Sequence, residues 1–186
     1  MFEKFDDSDM KIAGEKMPKG SSFQQENETV NLYEIQRQNG NLAKAQRIGA
    51  TLVERIGKLT LDNRDSITDN DRYAVQKKLL MIFGFVVGIE EFSPNKLLVR
   101  TSLNVFYDTL KKEDPALYES MGLTGAFSFY YLEYRRKGDI TQNIANAFAM
   151  LCGAEGDIAL VESGADIFGH YFSFVKALIA QAGYVQ

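Results

Sequence analysis

One apolar run near the middle of the chain constrains the fold more than any other feature. Residues 79 to 89 are all apolar or glycine, eleven positions in a row. Apolar and polar residues do not alternate there, and residues 76 to 78 lead into the run without a turn signal. A helix is therefore favoured over the competing β-strand at residues 81 to 89. A helix that is apolar on all sides must be surrounded by protein, so the sequence predicts a central helix that ends near Phe92.

The segments around this run carry the start and stop signals of further helices. Asn41 is a suitable N-cap. Ser93-Pro94 and Asp114-Pro115 indicate two more starts, because serine and aspartate cap helices and proline suits the first helical position. Gly138 and Gly153 indicate helix ends. The stripe that follows Asn41 repeats every three or four residues and consists of Leu42, Ala45, Gly49, Leu52, Ile56 and Leu59. These signals predict six or seven helices with short connections, packed mostly antiparallel.

The first 28 residues have a different composition from the rest. They are rich in charged and polar residues, with a cluster of helix breakers at residues 17 to 22. Such a segment buries too little apolar surface to offset the entropy lost when it becomes ordered. We therefore predict a flexible arm at residues 1 to 28 and one all-α domain at residues 29 to 186. The arm's three phenylalanines, Phe2, Phe5 and Phe23, give it a means of docking on the domain or on a second subunit.

Composition and charge restrict the compartment and the partners. The chain has a single Cys, whereas a secreted protein of this kind usually carries paired cysteines. Its apolar runs fall well short of the about 20 residues that a membrane span needs, and its first residues do not resemble a signal peptide. We therefore expect a cytoplasmic protein without a membrane segment. A net charge of −4 and a pI of about 5.1 also argue against nucleic acid as the main partner.

The last predicted helix contains the one pattern that could support metal or acid–base chemistry. Glu162, Asp166 and His170 are four residues apart and therefore share one stripe of that helix. Carboxylate and imidazole groups at this spacing can bind a transition metal. The apolar residues of the segment occupy the opposite face, however, so the stripe is the face expected in water. A zinc site also usually has more His or Cys than this chain contains, and we expect no metal, cofactor or catalytic residue.

Aromatic residues crowd the segment before Gly138. Tyr131 and Tyr134 share a helical stripe with Tyr130 beside it, which is typical of a helix that faces the core. The basic triplet Arg135 to Lys137 suggests a nucleic-acid contact, but basic residues also stabilise the negative end of a helix, and that explanation is sufficient here. An alternative stays open for the tyrosines. They could line a small-molecule site between helices, together with Glu162, Asp166 and His170.

Three small residues carry structural expectations. Gly84 and Gly88 lie one turn apart in the apolar run, where each glycine costs about 1 kcal/mol relative to alanine. We expect them to let another helix approach closely rather than to contact a ligand. Cys152 lies near a predicted helix end, where the negative end of the helix disfavours the thiolate. We expect it to be a small buried apolar residue.

The functional hypothesis follows mainly from missing signatures. The chain contains no phosphate-binding loop, no dinucleotide-binding glycine motif, no HExxH and no GxSxG. This absence favours a non-enzymatic helical interaction or regulatory module that associates with itself or with another protein. The alternative is a small-molecule-binding protein or enzyme with an aromatic-lined site between its helices.

Overall fold

The structure is a computed structural model that describes residues 21 to 62 and 72 to 185, and these ranges form α-helices without a strand. The eight helices are α1 (Ser21–Gln38), α2 (Asn41–Asp62), α3 (Arg72–Phe92), α4 (Lys96–Glu113), α5 (Pro115–Leu123), α6 (Ala126–Tyr134), α7 (Ile140–Leu151) and α8 (Ile158–Ala182). The predicted all-α fold is confirmed. The described ranges hold one helix more than predicted, because α1 is an 18-residue helix.

The chain divides into two units, residues 1 to 35 and residues 36 to 186. Positions 1 to 20 of the predicted flexible arm lie outside the described residues, and the chain is helical from Ser21 onward. Residues 63 to 71, between α2 and α3, also lie outside the described ranges. In the part of the chain that the structure describes, no helix has both the length and the apolar character needed to cross a membrane.

The helix starts follow the sequence signals with two corrections. The predicted cap Asn41 is the first residue of α2 rather than the residue before it, and α4 begins later than predicted. Asp114 caps α5 by accepting a hydrogen bond from the Leu117 amide at 3.0 Å, and Pro115 is the first helical residue, as predicted. The predicted cap Ser93 does not begin α4. Asn95 does so instead, because its side chain accepts a hydrogen bond from the Leu98 amide at 3.0 Å. A bend at residues 93 to 95 therefore separates α3 from α4.

Helix α3 lies at the centre of the second unit, as its apolar run predicts. Every residue from Leu79 to Ile89 is buried, and α3 contacts α4, α6, α7 and α8. Its two glycines face α8. A Cβ atom built on Gly88 would lie only 2.9 Å from the Val175 Cβ, and one built on Gly84 would lie 3.4 Å from the Tyr171 Cβ. The predicted close approach of a second helix is confirmed, with the tighter contact at Gly88.

Candidate functional site

The three candidate tyrosines gather around one phenylalanine of the central helix. The Tyr130 ring lies 5.3 Å from the Phe83 ring, and Tyr131 and Tyr134 make edge-to-face contacts with it at 5.1 and 6.1 Å. Phe83 also contacts Phe168 of α8 at 6.3 Å. Helix α6 has aromatic residues on several sides, so packing it against α3 brings three tyrosine rings to the same place.

The tyrosine hydroxyls differ in their surroundings. Tyr130 is 0% exposed, and its hydroxyl has no hydrogen-bond partner among the described residues. Burial, and then the nearby Cys152, raise the pKa of Tyr130 far above its usual value. The Tyr131 hydroxyl donates to both carboxylate oxygens of Glu90, at 3.3 and 3.4 Å. Burial, and then Glu90, raise the pKa of Tyr131, so both phenols stay neutral in the physiological range.

The second group of candidate residues lies on the other side of α8. Glu162, Asp166 and His170 are all exposed, while Phe168 and Tyr171 are buried against the core. The His170 ring meets the edge of the Tyr171 ring at 4.9 Å. The tyrosines of α6 pack against Phe83 of α3, and the structure describes no contact between them and the exposed stripe of α8. A ligand-binding role for these six residues therefore stays a prediction without a shared site.

The described ranges contain no group of three or more His, Cys, Asp or Glu side chains that could hold a metal ion. The only histidine of the chain, His170, shares its helix face with two carboxylates, Glu162 and Asp166, but that stripe holds no other His, Cys, Asp or Glu. The stripe thus has the composition of a solvated helix face.

Replacing His170 by glutamine should change the free energy of unfolding by less than about 0.5 kcal/mol, since exposed substitutions away from special contacts usually have small effects. Urea unfolding followed by circular dichroism measures this change. Added Zn²⁺ should raise the melting temperature of neither protein. A Zn²⁺-dependent rise that His170→Gln abolishes would instead show that the stripe binds metal in the folded state.

The structure exposes a feature that the sequence interpretation missed. Four large apolar side chains point to solvent at the end of α5, along α6 and at the start of α7, and we call them the apolar corner. Their exposed fractions are 84% for Leu123, 45% for Phe129, 65% for Leu132 and 40% for Ile140. A signal was present in the sequence. Helix α6 is apolar almost all round, but it is only nine residues long and lies at the surface.

One further expectation changes at the end of α7. Cys152 is half-buried rather than buried, because it occupies the C-cap position after α7 instead of its inner face. The Arg72 side chain covers this helix end, where its Nε atom donates to the Leu151 carbonyl at 2.6 Å.

Of the exposed basic triplet, Arg136 forms an ion pair with Glu133 at 3.2 Å. The acidic partner reduces the positive charge available to a phosphate.

Comparison with known proteins adds nothing to this geometry: no protein-family model, no curated protein and no solved structure matches the chain.

Proposed function

We propose that the protein is a non-enzymatic interaction module that binds a protein partner through the apolar corner. The observation that carries this proposal is the exposure of Leu123, Phe129, Leu132 and Ile140 on consecutive helices. Large apolar side chains that cluster at a surface lower the free energy when a partner removes them from water. Aromatic and aliphatic residues are also the usual anchors of protein interfaces.

The position of helix α6 also supports this proposal. Phe129 and Leu132 are three residues apart on α6 and therefore share one face. Their helix has a core-facing side that is already occupied, by Ala126 and Tyr130, which are 0% exposed. The outer apolar side is therefore not needed to hold α6 in place. Exposing it to water is unfavourable, and a partner that covers it would remove this unfavourable free energy.

The charges beside the apolar corner favour a second copy of the chain as the partner. Within seven residues the chain carries Glu133, Arg135, Arg136, Lys137 and Asp139. A two-fold symmetric interface places the same patch of one subunit against that of the other. A patch that carries both signs of charge can then pair acid with base across the axis, and the net repulsion stays small. We place this module in the cytoplasm, since a single cysteine suits a reducing compartment.

Sedimentation equilibrium of the purified protein tests the proposal. The unchanged chain should dimerise, and Leu132→Glu should raise the dissociation constant at least about tenfold, because each factor of ten needs only about 1.4 kcal/mol. Ile158→Glu is the matched control. Ile158 is 75% exposed at the start of α8, outside the apolar corner, so this variant should dimerise like the unchanged chain. Equal weakening by both substitutions, or no association of the unchanged chain, would contradict the proposal.

A further inference from the structure

Residues 183 to 185, which follow α8 in the chain, are held by side chains of α2, and we call these three residues the strap. The Asn41 side chain donates to the Val185 carbonyl at 2.6 Å and accepts from the Val185 amide at 3.0 Å. The Lys44 ammonium group donates to the Gly183 carbonyl at 2.6 Å. All three hydrogen bonds involve the backbone of the strap, which is how many proteins bind an extended peptide.

The two hydrogen bonds at Val185 define the backbone conformation that fits. In an antiparallel sheet, one residue exchanges hydrogen bonds through both its N–H and its C=O with the same neighbouring residue. The side-chain amide of Asn41 takes the place of that neighbour. Neither bond involves the Val185 side chain, and Val185 is exposed. The contact therefore selects an extended backbone rather than a particular side chain.

A second buried side chain holds the Asn41 amide in place. Asn41 and Gln36 are both buried, and the Asn41 Nδ2 atom donates to the Gln36 Oε1 atom at 2.7 Å. This bond fixes which end of the Asn41 amide donates and which end accepts. Because Gln36 lies outside the strap, the amide is oriented for an extended backbone by residues that do not move with the strap. Such preorganisation favours binding.

One side chain anchors the strap in an apolar groove. Tyr184 is half-buried and packs against Leu42 and Ala45 of α2 and against Leu97 and Leu98 of α4. An aromatic ring buries a large apolar area at a small loss of conformational freedom, so it is a common interface anchor. The groove between the starts of α2 and α4 therefore fits an aromatic residue followed by a residue with an available N–H and C=O.

Release of Tyr184 and Val185 would leave α8 intact but the groove unsatisfied. Helix α8 ends at Ala182, and the Gly183 amide closes it by donating to the Ala180 carbonyl at 3.3 Å. Without Val185, however, the buried Asn41 amide would lose both a donor and an acceptor, and buried polar groups without partners are unfavourable. A segment of the same chemistry would restore these hydrogen bonds.

We propose that this groove is a peptide-binding site and that the strap is its internal ligand. The external ligand is an extended segment of a partner protein that carries an aromatic residue followed by any residue except proline, which has no N–H for Asn41 to accept. This segment displaces Tyr184 and Val185 and makes the same contacts. The groove shares no residue with the apolar corner, and the inference does not depend on the proposed self-association.

The strap sets a threshold for the partner. A ligand attached to its own site competes at a high effective concentration. The apparent affinity for an external segment is lowered by the fraction of molecules whose groove is open. The strap therefore excludes weakly binding aromatic segments and keeps the groove closed when no partner is present.

Binding of a short fluorescent peptide to the full chain, measured by fluorescence anisotropy, tests the proposal. The peptide has the sequence of residues 181 to 185, with a fluorophore at its first residue and an amide at its last. Tyr184→Ala removes the anchor of the strap, so this variant should bind the peptide saturably. The unchanged chain should bind it at least about tenfold more weakly, because its own strap competes.

A second pair of protein variants guards against indirect effects. Val185→Pro opens the groove independently, since it removes the N–H that Asn41 accepts, and it should bind the peptide as Tyr184→Ala does. Tyr33→Ala is the matched control, because Tyr33 is an exposed tyrosine of α1 outside the groove. It should bind the peptide as weakly as the unchanged chain.

Changes in the peptide locate the contacts without altering the protein. A peptide with alanine in place of tyrosine lacks the anchor, and a peptide with N-methylvaline lacks the N–H that Asn41 accepts. Each should bind at least about tenfold more weakly to Tyr184→Ala, a difference that needs only about 1.4 kcal/mol. The matched control is a peptide methylated instead at the nitrogen of its residue 182, before the strap sequence, and it should bind like the unmodified peptide.

A second copy of the chain carries the same strap and is the competing occupant of the groove. Tyr184→Ala should keep the association state of the unchanged chain in sedimentation equilibrium. Loss of association in this variant would assign the groove to a second copy and overturn the proposal of a different partner. The proposal would also be overturned by no saturable binding to the opened variants, by equal binding to the unchanged chain, or by full binding of the N-methylvaline peptide.

Discussion

Phe83→Ala is expected to lower the free energy of unfolding by about 3–5 kcal/mol, the usual range for removing a buried aromatic ring. Phe83 is 0% exposed, and its ring contacts five other aromatic rings from α6 and α8. The alanine variant would therefore leave a cavity where three helices meet. Urea unfolding followed by circular dichroism measures the loss.

Phe129→Ala provides the matched control for this substitution. It removes the same side chain from the apolar corner, where Phe129 is half-exposed, and it should change the free energy of unfolding of the monomer by less than about 0.5 kcal/mol. The measurement is made at protein concentrations too low for dimerisation, so that a dimer does not contribute to the measured stability. If the two variants lost similar stability, α3 would not be the centre of the fold and α6 would be packed differently.

Gly49→Ala should have the second large effect, although alanine normally stabilises a helix. A Cβ atom at Gly49 would overlap the backbone carbonyl oxygen of Ser102 in α4, and it would also lie 3.0 Å from the Phe106 amide nitrogen. Backbone atoms cannot rotate away as a flexible side chain can, so α2 and α4 would have to separate. We expect a loss of about 1–3 kcal/mol or more.

Gly57→Ala in the same helix is expected to change stability in the opposite direction. Apart from Gly57 itself, its chain neighbours and the backbone of its own helix, no atom of the described residues lies within 4 Å of the position where its Cβ would be. The substitution should therefore stabilise the protein by up to about 1 kcal/mol through helix propensity alone. Thermal or urea unfolding of the two variants compares them directly. A stabilising Gly49→Ala would show that α2 and α4 do not approach as closely as described.

The helices could be predicted from the sequence wherever the signal is local. The apolar run from Leu79 to Ile89 identifies α3 and its central position, and Asp114-Pro115 fixes the start of α5 to the residue. The start of α4 was placed too early, at Ser93, because Ser93 and Asn95 are both good caps. Which of the two is used depends on the bend after α3, and no local pattern encodes that bend.

Contacts between residues that are far apart in the sequence could not be predicted from local sequence patterns. The sequence predicts Asn41 as a cap, but Asn41 is the first residue of α2, and its side chain instead donates to the Val185 carbonyl at 2.6 Å and accepts from the Val185 amide at 3.0 Å. These residues are 144 positions apart. The Tyr131–Glu90 contact likewise joins residues 41 positions apart. Periodicity identifies which face of a helix is apolar, but it does not identify the helix that covers that face.

At the candidate site, too, local patterns predicted one feature and missed another. The tyrosine stripe of α6 was expected to face the core, and Tyr130 is fully buried there. The exposure of Phe129 and Leu132 was not predicted, because it depends on how much of a short helix its neighbours cover. The proposed function rests on that uncovered face, and the local sequence interpretation gave it no weight.

A native mass spectrum of protein purified from its own cells tests the proposed interaction most directly, because it records partner, ligand and stoichiometry together. The account predicts a species at twice the chain mass of 20.9 kDa. Leu132→Glu should convert this species to the monomer, and Ile158→Glu should retain it. A spectrum of the unchanged protein that contains only the monomer, or a dimer that Leu132→Glu leaves intact, would contradict the account.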